Sequence, residues 1–164
     1  MQTSSVFRIF LLILFTLTLF TMGTPVQAQT KVAIQTRRDI DITIQTSGDV
    51  QFVETWEFKY VGGPFRFAFR GIELNRVESV TNLQVSEGGR PYKQDSSEAP
   101  GTFQLYQEKG QQFIKWFYPP TSDQTRTFTL QYELYGALRI YEGGDQFYWK
   151  VIENDHGYTI QSTT

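Results

Sequence analysis

Cysteine is absent from this 164-residue chain, and histidine occurs once, at His156. Without thiols there is no disulfide and no lipid-modified cysteine, and the usual cysteine-bound zinc and iron–sulfur sites are excluded. A single histidine excludes a multi-histidine metal centre. A serine triad would have to use His156 within Glu153-Asn154-Asp155-His156-Gly157, yet no G-x-S-x-G elbow is present to raise the nucleophile. His156 therefore reads as a turn residue. Charge of one sign is scarce as well: 15 Lys and Arg face 17 Asp and Glu, a net charge of −2. Nothing in that balance draws nucleic acid. Arg37-Arg38 is the sole basic doublet, and Asp39 and Asp41 beside it make it read as a mixed, solvated strand face.

Long apolar runs are also missing after the first 28 residues, where nothing approaches the roughly 20 residues that cross a bilayer. The exception lies at the start. Arg8 precedes the run Ile9 to Phe20, Gly23-Thr24-Pro25 breaks a helix, and Val26-Gln27-Ala28 gives a small-x-small cleavage pattern. Residues 1–28 are thus expected to be a signal peptide, with an uncleaved anchor as the rival reading, and residues 29–164 an exported domain. Its expected place is the outer side of the cell membrane, or the medium if the short chain is secreted.

What the chain has in quantity is aromatic residues, 16% of the total, in a pattern of period two that predicts strands with one buried face. Ile40, Ile42 and Ile44 alternate with polar neighbours, and Ser47-Gly48-Asp49 predicts a turn into an antiparallel partner, Val50 to Tyr60. In that partner Val50, Phe52, Trp56, Phe58 and Tyr60 share a phase with Glu54. Either a bulge shifts the register or Glu54 points inward and needs a partner. Phe65, Phe67 and Phe69 alternate in a third strand, and Val77 to Ser86 form a fourth. A polar loop, Glu87 to Gly101, is expected to be the longest irregular segment. Phe103 to Gln107 pairs with Gln112 to Phe117 across Glu108-Lys109-Gly110, with Pro119-Pro120 expected to end the strand. Thr125 to Tyr135 and Phe147 to Ile152 follow. The expected fold is an all-β antiparallel sandwich of immunoglobulin-like architecture.

These pieces carry a resemblance: Asp39-Ile40-Asp41-Ile42, Gly48-Asp49-Val50 leading to Val53-Glu54-Thr55, Phe65-Arg66-Phe67 to Arg70-Gly71-Ile72, and Tyr148-Trp149-Lys150-Val151-Ile152. From about Lys31 onward the chain resembles the extracytoplasmic N-terminal domain of a bacterial predicted-membrane-protein family, domain of unknown function twenty-two-oh-seven. The resemblance implies a signal peptide, an exported β domain, then transmembrane helices and a low-complexity tail. It implies architecture and no particular chemistry. Because no spanning segment follows Trp149, the chain is expected to be a fragment, with its last strands missing and an open edge near Thr159 to Ser162; a short secreted homologue is the other reading.

The candidate residues fall into few groups. Glu54, Arg66 and Arg70 form a candidate ion pair, read as register-fixing rather than ligand-binding. Trp56 and Trp149 are expected core anchors. Trp116-Phe117-Tyr118, apolar on both faces, should leave at least one ring exposed, and is the candidate surface for a cell-envelope glycan. Asp39 and Asp41 could in principle serve as paired carboxylates, but alternating acids are the ordinary way to keep a strand soluble. Asp145, Glu153 and Asp155 match no calcium loop. No cofactor, metal or catalytic residue is predicted. The leading expectation is a non-catalytic domain that contacts a protein partner or its own membrane portion, with a carbohydrate-binding module second and a carboxylate-dependent hydrolase third.

Overall fold

A computed structural model describes residues 30–152 and 158–164. The predicted leader, Glu153, Asp155 and His156 lie outside the described residues. Twelve strands are described: β1 (Val32–Ile44), β2 (Val50–Val61), β3 (Phe65–Glu73), β4 (Ser79–Glu87), β5 (Arg90–Pro91), β6 (Lys93–Gln94), β7 (Thr102–Glu108), β8 (Gln111–Thr121), β9 (Thr125–Tyr135), β10 (Leu138–Arg139), β11 (Gln146–Phe147) and β12 (Thr159–Ile160). One sheet has the order β12-β1-β2-β9-β4-β5, a second has β3-β8-β7-β6, and β10-β11 is a separate hairpin. The two large sheets bury one face each against the other, as the expected sandwich requires.

The first hairpin forms as the sequence predicts. Gln45 N–H donates to Asp49 C=O (2.8 Å) and Gly48 N–H to Gln45 C=O (2.9 Å), with Gly48 at φ +89°, where a side chain would be strained. Strict alternation then carries β2 through the core: Val50, Phe52, Glu54, Trp56, Phe58 and Tyr60 are all buried. Phe128, Leu130, Tyr132 and Leu134 of β9 do the same from the neighbouring position. Between the sheets Trp56 meets Trp116 edge to face, with centroids 5.8 Å apart. Fully burying rings of this size is worth about 2–3 kcal/mol each, which lets a core of this size hold without disulfides.

Several local expectations are corrected. A register shift between Gln35 and Arg37 turns both Gln35 and Arg38 inward, so Arg38 is buried rather than part of a solvated face. Ile42 and Ile44, at the far end of the same strand, are exposed. In β3 the inward residues are Ala68, Arg70 and Ile72, while Phe67 and Phe69 face outward. Pro119 and Pro120 do not end β8; the strand runs through them to Thr121, and its register against β3 skips there, between the pairs Phe67↔Phe117 and Phe65↔Thr121. The segment 87–101 contains β5 and β6, and the expected strand Phe147 to Ile152 reduces to Gln146–Phe147. The stretch expected to be an open edge is paired on one side. β12 lies parallel to β1, and the pairing continues as Arg38 N–H donates to Ser162 C=O (3.1 Å) and Ile40 N–H to Thr164 C=O (2.9 Å).

Candidate functional site

Glu54 points inward because β2 alternates without interruption, and its carboxylate is wholly buried. A buried charge requires hydrogen bonds on every side, and Glu54 receives them. Oε2 accepts from Trp56 Nε1 (2.7 Å); Oε1 accepts from Arg70 Nε (3.2 Å) and from the Tyr132 hydroxyl (2.5 Å). Arg70 also donates to its neighbour's carbonyl, Gly71 C=O, at 2.7 Å. Burial works against the charged Arg70, yet Glu54 and Tyr132 outweigh it and hold its pKa above the ordinary value. Burial pushes the Tyr132 hydroxyl well up, reinforced by the Glu54 charge. Three donors converge on this carboxylate from β2, β3 and β9, so it is held from several sides within the core.

A second guanidinium completes the network. Arg38 lies over the face of Trp56, 3.9 Å from the ring centroid. It donates to Gln35 Oε1 (3.1 Å), Val151 C=O (3.4 Å) and the Tyr158 hydroxyl (2.9 Å). Its pKa is lowered by burial, against the opposing influence of Tyr158 and Glu54. Tyr158 in turn packs edge-on against Phe58 at 5.3 Å and against Trp56 at 6.4 Å. Trp56 is therefore the hub: its N–H fixes Glu54, one face carries Arg38, and its edges meet Trp116 and Tyr158. The network ties the C-terminal segment to the centre of the sandwich.

Of the predicted trio, the structure joins Glu54 to Arg70 and leaves Arg66 out. Arg66 falls in the register shift between Phe65 and Phe67 and is exposed. Arg38, missed in sequence, takes the second cationic place; only the bulge before it could have revealed this. Trp56 is the anchor expected, and Trp149 is half-buried, packed at 6.0 Å from Phe52. Trp116, Phe117 and Tyr118 are all buried, which corrects the expected exposed ring. The Tyr118 hydroxyl donates to Phe67 C=O (3.0 Å) and accepts from the Tyr60 hydroxyl (2.6 Å).

One group of exposed rings lies instead on the outer face of β3, β8 and β7. Phe67 is 48% exposed, Phe69 51% and Tyr106 40%. Tyr106 stacks on Phe113 at 5.1 Å, Phe69 lies 6.2 Å from Phe113, and Phe67 lies 6.4 Å from Phe117. Lys115 Nζ covers Phe67 and Phe117 at 4.5 and 4.9 Å. Gly71 leaves room for this arrangement, since a Cβ there would come within 3.0 Å of the Phe113 ring. Asp39 pairs with Arg37 at 2.9 Å, and an open groove of 570 Å³ beside Tyr92 and Pro119 has its carboxylate, Glu87, tied to Arg126 (2.6 Å) and the Tyr92 hydroxyl (2.8 Å). Among the described residues no group of three or more acidic or histidine side chains is arranged to hold a metal ion.

Sandwich architecture, a buried ionic centre and an aromatic outer sheet face define an all-β module. The chain belongs to the family described as "Predicted membrane protein (DUF2207) N-terminal domain", which matches residues 35–164. Residues 35–164 are thus the N-terminal domain of a family of predicted membrane proteins. No curated protein matches the chain. Among solved structures it is similar to the backbone protein of the group B streptococcus pilus 2b, with 16% identity and a TM-score of 0.40, over 64% of this chain and 43% of that one. The chain thus spans less than half the length of that pilus protein.

Proposed function

We propose that the domain is a non-catalytic, extracytoplasmic interaction module that contacts the membrane portion of its own protein. The observation that carries this reading is the outer face of β3-β8-β7, where Phe67, Phe69 and Tyr106 present large rings to solvent while the ionic groups of the core are consumed internally. Exposed rings clustered on one face mark an interaction surface. The test is a photo-crosslinking residue at Phe69 in the membrane protein that carries this domain. A crosslink to the protein's own membrane portion supports the reading, and exclusive adducts to envelope polysaccharide would replace it with the carbohydrate-binding alternative.

A further inference from the structure

We infer that the end of the sandwich formed by the β1–β2 turn and the β10–β11 hairpin is the end that meets the bilayer. Because β12 is parallel to β1, the backbone advances along β1 from Ile34 toward Ile40, and it heads for the Ile44 end. A membrane portion that follows this domain is reached from that end. The side chains there suit an interfacial layer. Ile140 is 81% exposed, Tyr148 62% and Tyr141 58%, with Ile44 and Tyr135 also exposed. The hairpin adjoins the turn, since a Cβ on Gly48 would lie 3.9 Å from Leu138 Cδ2.

Arg76 lies over the Tyr148 ring at 4.8 Å, and Arg139 donates to Arg76 C=O at 3.3 Å, so cationic heads flank the rings. Tyrosine and isoleucine with nearby arginine is the composition that partitions into the headgroup layer, ring inward and polar tip in water. Glu142 and Asp145 are exposed beside the same tip, so net charge does not drive the contact and salt will not release it. At the opposite end, the large exposed apolar side chains among the described residues are Val32 and Val61, and the nearest exposed ring, Phe67, faces outward from the β3–β8 sheet.

The inference rests on the reading of the domain as the outward part of a membrane protein, and one set of variants separates the two. The chain has no cysteine, so Tyr141→Cys, Phe69→Cys and Arg90→Cys each give one labelling site. With an environment-sensitive fluorophore on the full chain in phosphatidylcholine vesicles, position 141 should brighten about twofold and be quenched by a headgroup-level nitroxide lipid, at low and high salt alike. Position 90, at the far end, should do neither. Equal response at 141 and 90, or a response at position 69 alone, overturns the inference. In intact cells, maleimide labelling of Arg90→Cys only after permeabilisation would sink the extracytoplasmic reading instead. Adding Ile140→Asp to the Tyr141→Cys chain should abolish the response; if it persists, the tip is not the contact.

Discussion

Replacing Glu54 with Gln changes one charge and almost no volume at the centre of the sandwich, and every neighbour there is built for an acceptor. Trp56 Nε1, Arg70 Nε and the Tyr132 hydroxyl all donate to this carboxylate. An amide keeps one acceptor oxygen and turns two N–H donors toward groups that are donors themselves, leaving Arg70 buried beside a neutral side chain. Removing one partner of a buried pair costs about 3–5 kcal/mol, because the other charge stays uncompensated. In a domain of this size that corresponds to roughly 10–20 °C in Tm. Thermal and urea unfolding should show the lower midpoint with an unchanged urea slope, since the area buried is the same. Glu108→Gln, at the exposed end of β7, is the matched control and should stay within about 0.5 kcal/mol. A Glu54→Gln midpoint within 2 °C of the parent, measured to about 1 °C, would refute the structural assignment of the pair.

Arg38→Lys should cost about 1.5–3 kcal/mol, since an ammonium cannot stack flat on Trp56 while forking to Gln35 and Tyr158; hydrogen exchange should quicken first at residues 158–164, and uniform exchange would count against the tether. Phe69→Ser should leave stability within about 1 kcal/mol by urea unfolding, as half the ring is already in water; a larger loss would make the outer face part of the core. Alkaline stability is the fourth expectation. Burial pushes Tyr118 up to about 12, opposed by Tyr60 and Arg126, and raises Tyr60, Tyr92, Tyr132 and Tyr158 as well. A raised folded-state pKa gives stability that is complete below the unfolded value near 10 and is lost as pH climbs through 12. Phenolate absorbance and circular dichroism should therefore change together in that window, and ionisation of these tyrosines in a still-folded chain would contradict it.

The hairpin of β1 and β2 was legible because alternation and turn chemistry agree, and Glu54 was legible because its phase is unbroken. The errors cluster where registers shift. One extra residue after Gln35 carries Arg38 to the inner face, and at the start of β3 three residues of β8 stand against Arg66 alone, in the shift that leaves Arg66 exposed and away from Glu54. In β3 the alternation of Phe65, Phe67 and Phe69 with Arg66, Ala68 and Arg70 leaves either phase able to face the core, and a salt-bridged Arg70 with Ala68 and Ile72 fills the inner side. Nothing in a single strand's pattern decides between two apolar faces; the partner strand does. Trp116, Phe117 and Tyr118 read as two-sided for the same reason, and all are covered once β3 and β7 flank β8.

The parallel seating of the tail on β1 has a mechanical consequence. A pull on residue 30 drags β1 toward its own beginning, while a pull on residue 164 drags the tail the opposite way. The backbone bonds from Gln161 N–H to Gln35 C=O, Arg38 N–H to Ser162 C=O and Ile40 N–H to Thr164 C=O then bear the force together, in shear, instead of opening one after another. Arg38, gripping both Val151 and Tyr158, acts as a cross-pin on the same seam. A domain strung between two tethers in this way resists tension along its long axis far better than tension across it.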